Sequence, residues 1–139
     1  MSNRLVVDTS VAFKWFVAYG ENGLDSAWEV LRAHGENEVA LIAPSLIRAE
    51  LAIQLVSSGI PADDALALLA AFEQAHVILF DATGERTQRA LRCAYENRIT
   101  VYDSMFLALA QEFDCPLVTA DRRAFGGIPP KVAEVRLVL

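Results

Sequence analysis

The chain is short of soft metal ligands, of lysine and of any long apolar run. It carries two cysteines and two histidines in 139 residues. Cys93 and Cys115 lie far apart and form no CxxC pair, and His34 and His76 have no ligand type beside them, which argues against zinc. The two thiols read as free and buried, as a reducing compartment allows. His34 precedes Gly35 at an expected helix end, where it suits the dipole. The densest apolar stretches, VALIAPSLI and ALALLAAF, are about half the ~18–20 residues of a membrane span or less, and charge flanks both. No secretion leader is expected, because Arg4 and Asp8 bracket only a few apolar residues. A glycine-rich phosphate loop is missing too, which removes that route to nucleotide chemistry. These absences leave a soluble, cytoplasmic chain, and its length suits one domain over 1–139. Apolar residues make up 54% and the mean hydropathy is +0.31, so a well-filled core is expected, with a surplus for an oligomer or partner surface.

The net charge of −6 and pI of about 4.8 argue against a general nucleic-acid binder. The charge is not evenly spread, however. Ten of the twelve bases are arginines; Arg86, Arg89, Arg92 and Arg98 share one stretch, and Arg122 and Arg123 are adjacent. The plain reading is a solvated helix face and a surface pair. The other is a local phosphate-contacting surface, for which the guanidinium fork is suited.

Hydrophobic patterning gives strands at 4–8, 38–43, 76–80, 116–120 and 132–139. Helices are expected at 10–19, 23–35, 83–98, 101–113, 61–75 behind Pro61, and one opened by Pro44-Ser45 and ended by Gly59. Short apolar strands alternating with helices predict an α/β sandwich around a mostly parallel sheet.

Four acids stand in apolar surroundings. Asp8 ends VVD and Asp121 ends LVTAD, at the carboxyl ends of strands, where ligands bind in such folds. Each alone also reads as a turn or helix cap. Glu50 falls mid-helix in SLIRAELAIQL, with Leu46, Ile47 and Ile53 on its face, which points it toward the core. Asp103 heads VYDSMFLALA, with Phe106 and Leu107 one turn on; it doubles as a first-turn carboxylate favoured by the helix dipole. An arginine partner is the plain account of Glu50. Burying an unpaired carboxylate costs several kcal/mol. Few bases adjoin the four, and a hard cation would satisfy all of them. All-oxygen ligands select Mg²⁺ or Mn²⁺, and such a cluster suits attack of an activated water on a phosphodiester.

The segments VVDTSVAFKWF, PSLIRAEL, TVYDSMFLALAQEF and PLVTADRRAF resemble, in order and spacing, the motifs of PIN-domain ribonucleases, and most of all the VapC-type toxins of toxin–antitoxin modules. The likeness covers essentially the whole chain. It implies a PIN-like three-layer α/β/α sandwich and an acidic quartet of Asp8, Glu50, Asp103 and Asp121 that coordinates Mg²⁺ or Mn²⁺ and cuts RNA. By the resemblance Asp8 and Asp103 are the chief metal ligands, and Ser10 and Thr119 are supporting hydroxyls. It further implies a homodimer and a small antitoxin partner. One departure stands out: relatives often carry Asn three residues after the helical Glu, where this chain has Ile53 followed by Gln54. That change removes a polar group near the site.

With the four site acids set aside, fourteen acids face twelve bases, so RNA contact would be local, through Arg122, Arg123 and the Arg86–Arg98 stretch. The leading expectation is thus a Mg²⁺-dependent endoribonuclease toxin. The alternative is a catalytically silent PIN-like scaffold that only binds a protein, motivated by Ile53 and the acidic pI. A haloacid-dehalogenase-like phosphatase needs a second acid two residues after its Asp nucleophile; position 10 is Ser10, which sets that reading aside.

Overall fold

Five short segments, apolar enough to be covered on both sides, pair into one parallel sheet in the computed structural model, which describes residues 3–17 and 24–138. In chain order the elements are β1 (Arg4–Val7), α1 (Thr9–Phe16), α2 (Leu24–Gly35), β2 (Ala40–Pro44), α3 (Ile47–Ser57), α4 (Ala62–Gln74), β3 (Ile78–Phe80), α5 (Gly84–Asn97), α6 (Val101–Glu112), β4 (Leu117–Thr119), α7 (Arg122–Phe125) and β5 (Val135–Leu137). The strand order is β3-β2-β1-β4-β5, and every pairing is parallel. Leu5 lies opposite Leu41, and Val6 lies opposite Ile42 on one side and Leu117 on the other. Parallel strands need crossover helices, and these make the outer layers of the α/β/α sandwich. The helices α1 to α4 pack on one another, while α5 packs on α6 and α6 on β1, β2 and β4.

The order has one consequence for function. The chain leaves β1 toward β2, and leaves its neighbour β4 toward β5, in the opposite direction. The strand order therefore reverses between β1 and β4, which opens a crevice beyond their carboxyl ends. Asp8 follows β1 directly and Asp121 comes two residues after the end of β4.

The helix α6 runs through the densest packing. Every residue from Ser104 to Ala110 is buried, because the sheet covers one side and α5 the other. Thr100 caps it, accepting a hydrogen bond from the Asp103 amide at 3.1 Å. This fixes the first turn, and with it the direction of the Asp103 side chain.

The second strand and third helix differ from the sequence reading. Pro44 ends β2 rather than opening α3: it pairs with Phe80, and the Ser45 amide extends the ladder to the Phe80 carbonyl at 2.9 Å. Pro44 needs no donor at that strand end, so the sheet keeps it. The helix starts at Ile47, and Glu50 lies in its first turn, not mid-helix. Ile47, Leu51 and Leu55 form the buried face, and Ile53 is 65% exposed, so Glu50 lies half-buried at the edge of the core face.

Smaller differences follow the same logic. The first helix ends at Phe16 with Val17 as its cap; the expected turn through Tyr19, like Gly23 and Leu139 at other expected ends, lies outside the described residues. The last strand is trimmed to three residues, and the one-turn helix α7 was not expected. Cys93 is buried, but Cys115 is only half-buried; both are free, and burial pushes both thiols up. His34 lies in the last turn of α2, as expected, and both its ring nitrogens are hydrogen-bonded. Its Nδ1 accepts from the Leu41 amide at 3.0 Å, so the proton sits on Nε2, which donates to the His76 carbonyl at 3.1 Å. The ring ties the end of α2 to β2 and to the turn before β3.

Candidate active site

The sequence Asp8-Thr9-Ser10 turns the end of β1 into the start of α1, and each of its three side chains is used. Asp8 is the N-cap of α1 and only 5% exposed. Its Oδ2 accepts from the Ser10 hydroxyl at 2.7 Å, the Thr119 hydroxyl at 3.0 Å and the Ser10 amide at 3.4 Å. Those hydroxyls are relays. Ser10 Oγ accepts from the Ala120 amide at 2.9 Å, and Thr119 Oγ1 accepts from the Asp121 amide at 2.9 Å. Each hydroxyl has a single proton, and both protons go to Asp8, so the 3.3 Å approach of Ser10 to Thr119 is a contact without a donor to spare. The chain after β4 is thereby tied to the carboxylate after β1. Asp8 Oδ1 accepts no hydrogen bond among the described residues.

The same division recurs at two other acids. Glu50 accepts from the Thr9 hydroxyl at Oε1, at 2.7 Å, and Oε2 has no such partner among the described residues. Asp121 caps α7, accepting from the Ala124 amide at Oδ1, at 3.1 Å, and its Oδ2 has no such partner among the described residues. Each carboxylate is held by one oxygen and open at the other. Asp8, Glu50, Asp103 and Asp121 line one cleft of about 250 Å³ with Thr9, Ser10, Ile53 and Gln54. None of the four forms a salt bridge among the described residues, so the arginine partner considered for Glu50 does not occur there.

The electrostatics follow from that arrangement. Burial pushes the Asp8 carboxyl up against the pull of its Ser10 and Thr119 hydrogen bonds, and the charge of Asp103 adds to the rise. Burial also raises Glu50, opposed by Thr9 and helped by Asp8 and Asp103. Asp103 is raised by burial, opposed by the Thr100 hydroxyl and helped by Asp121. The acids therefore repel one another in a partly buried cleft whose described lining supplies no counter-charge.

The donor set is all oxygen, which fits a hard divalent cation. Among the described residues, though, no three Asp, Glu, His or Cys side chains stand close enough together to wrap a bare ion. The set fits an ion that keeps part of its water and touches only one or two carboxylates at a time, the habit of Mg²⁺.

Two contributors were missed by sequence reasoning. Thr9 is buried and orients Glu50, but a threonine after a strand reads as an ordinary cap residue. Gln54 lines the cleft, and its buried Oε1 has no hydrogen-bond partner among the described residues. An amide therefore remains in the cleft despite Ile53, which is a correction to the expected loss of polarity. Of the arginines expected to meet RNA, Arg122 and Arg123 are both exposed on α7, directly after Asp121. Arg86 is engaged elsewhere: it forms a bidentate pair with Glu112, 3.0 Å on each arm, and lies over the Phe80 ring. Arg89 pairs with Glu85 and Glu112.

Residues 5–128 match the family model of the PIN domain. No curated protein matches the chain. Several solved structures share the fold. A chain of VapBC2 from Rickettsia felis, bound to a DNA fragment from the promoter, superposes with a TM-score of 0.74 at 18% identity, over 96% of this chain and 98% of that one. VapC20 of Mycobacterium tuberculosis, a sarcin–ricin loop cleaving toxin, gives 0.64 at 16% identity, over 89% and 95%. FitAcB from Neisseria gonorrhoeae gives 0.63 at 16% identity, over 95% and 96%.

Proposed function

The chain belongs to the PIN-domain family, and from that membership we propose that it is a metal-dependent endoribonuclease, a single PIN-like domain over 1–139 that acts as the toxin of a toxin–antitoxin pair. The observation that carries this reading is the shared pattern of Asp8, Glu50 and Asp121, each held through one oxygen and open at the other, around one cleft with Asp103. PIN nucleases generally use divalent metal ions; here the proposed ion is Mg²⁺, with Mn²⁺ as substitute. Asp8 and Asp103 would hold it, and Glu50 and Asp121 would complete its surroundings. When bound, such an ion neutralises charge on a phosphodiester and makes water a better nucleophile.

The chain's own residues do the rest. Ser10 and Thr119 fix Asp8 so that its Oδ1 faces the cleft. Thr9 holds Glu50 so that its free oxygen can accept a proton from the attacking water. Gln54 offers an acceptor to a hydroxyl or water of the substrate complex. Arg122 and Arg123, beside Asp121, meet the phosphates of the RNA strand. The toxin–antitoxin complexes among the similar folds support an antitoxin partner. So does exposed apolar surface: Ile53 at the cleft rim, Val56 one turn further along α3 and Leu66 on α4. Exposed Leu91, Tyr95, Val101 and Tyr102 on α5 and α6 support a homodimer. Two free cysteines suit the cytoplasm.

The test is cleavage of a mixed RNA pool in Mg²⁺ by the wild type and by Asp103→Asn. The wild type is expected to cut and the variant to lose at least a hundredfold, about 3 kcal/mol in the barrier; equal rates would sink the assignment. One observation favours the silent-scaffold reading, namely that no three carboxylates stand ready as a closed ligand set among the described residues. Melting curves separate the two. A competent site gains thermal stability with millimolar Mg²⁺ or Mn²⁺, whereas an unchanged melting temperature favours the scaffold.

A further inference from the structure

The arginine-rich surface divides into two kinds of residue. Arg32, Arg48, Arg86, Arg89 and Arg136 each form an ion pair with a glutamate. Arg4, Arg92, Arg98, Arg122, Arg123 and Lys131 form none among the described residues, and three of them, Arg98, Arg123 and Lys131, line one cleft of about 590 Å³, with Glu96, Asn97 and Pro129. This cleft lies between the α5–α6 junction and the loop from α7 to β5, and is larger than the carboxylate cleft.

Both of its walls continue into the candidate active site. Arg98 closes α5, and two residues later Thr100 caps α6, whose first turn carries Asp103. Arg123 lies in α7, the helix capped by Asp121. The walls are also held in place. Phe125 buries α7 against the core, and Gln111 Nε2 donates to the Val132 carbonyl at 3.2 Å, which pins the loop bearing Lys131. The Val132 amide closes that loop onto the Pro129 carbonyl at 2.9 Å.

Arg98 has an unusual backbone conformation. It sits in the left-handed region at φ 55°, where glycine or asparagine is the easier residue. The sequence nevertheless has an arginine there, and the turn sends it into the cleft. Glu96 is the one acid of the lining and pairs with none of the three, which leaves a local positive excess on a chain of net charge −6. Unpaired cations in a concave, polar cleft next to the carboxylates match the charge of a phosphodiester backbone.

We infer that this cleft binds the backbone phosphates of the single-stranded RNA on one side of the cleavage point, with Arg98, Arg123 and Lys131 as the contacts. The inference rests on the ribonuclease reading of the carboxylate cleft and adds a separate subsite to it. It also divides the arginine pair: Arg123 belongs to this cleft and Arg122 does not line it.

The experiment measures binding of a labelled oligouridine by fluorescence anisotropy across a salt series. The full chain carries Asp103→Asn throughout, so that the probe stays intact. The triple variant Arg98→Asn, Arg123→Gln, Lys131→Gln is compared with it; asparagine tolerates the left-handed backbone at 98. Three lost phosphate contacts are expected to weaken binding at least tenfold and to flatten the slope of log affinity against log salt by about 2, at ~0.7 per contact on a single strand. Arg136→Gln, which removes a charge from β5, is expected to leave both unchanged. Parental affinity and slope in the triple variant overturn the inference. So does an oligoglutamate of equal charge that displaces the RNA as well as unlabelled oligouridine does, because the cleft would then suit an acidic protein. Cleavage by the chain with Asp103 intact is scored separately. Cutting combined with an unaffected triple variant removes only this subsite, whereas binding through the cleft without any cutting removes only the nuclease reading.

Discussion

At the scale of single residues, the cleft is organised by hydroxyls. Asp8 is fixed in a buried place because two hydroxyls and an amide converge on one of its oxygens. Charge-assisted hydrogen bonds of this kind are worth about 1.5–3 kcal/mol each. They do not cancel the burial that raises its pKa. Asp8→Asn keeps an acceptor for both hydroxyls and removes the buried charge. In metal-free buffer at neutral pH it is therefore expected to melt no lower than the wild type, and up to about 4 °C higher. A clear drop would mean that the carboxylate is a structural cap and little else. Thr9→Val tests the other hydroxyl. It leaves Glu50 Oε1 without its donor and is expected to lower RNA cleavage about 10- to 100-fold, as losses of supporting hydrogen bonds do. Thr9→Ser should restore most of the rate; failure of that rescue would mean that the methyl packing matters and the hydroxyl does not.

At the scale of elements, α5 and α6 hold the far side of the sheet, and a clamp joins them. Arg86 of α5 grips Glu112 of α6 with both arms, and Arg89 adds a contact at 3.3 Å. The Arg86 guanidinium holds the Glu112 carboxyl below its ordinary value of 4.5. A depressed folded-state pKa means that this contribution is fully present above the unfolded value and is lost as pH falls through the folded one. Glu112→Gln is expected to lose about 1 kcal/mol at neutral pH, since the pair is partly exposed, and to match the wild type in strong acid. Urea unfolding across that range measures it; a deficit that persists in strong acid would point to packing instead.

These elements also show what the sequence discloses. The run behind Asp103 is legible as a core helix, because burial on all sides leaves an apolar run, and the strand-end positions of Asp8 and Asp121 follow from where the apolar stretches stop. The start of α3 is not legible. Pro44 satisfies both a helix-opening pattern and a strand end, and only its pairing with Phe80 decides between them. That shift moves Glu50 into a first turn and Ile53 onto the rim. Four residues of α7 are too short for any periodicity. The fate of the arginines is equally hidden, because Arg86 meets a glutamate 26 residues away, which only the packing of α5 on α6 brings near.

At the scale of the whole molecule, the proposed function requires a chain of net charge −6 to bind a polyanion through a small part of its surface. RNA affinity is therefore expected to fall steeply with salt. Light scattering is expected to report twice the chain mass for the isolated protein, and a monomer at micromolar concentration would remove the homodimer from the account.

The central claim is that the four carboxylates make this fold a metal-dependent ribonuclease. The most direct measurement is cleavage of the RNA pool by chelator-stripped protein as Mg²⁺ is added back, with Asp8→Asn alongside. Cutting by the wild type should be absent without metal and return as metal is restored, while Asp8→Asn should stay inactive at every concentration. Cutting by the stripped wild type, or equal cutting by Asp8→Asn, would contradict the claim.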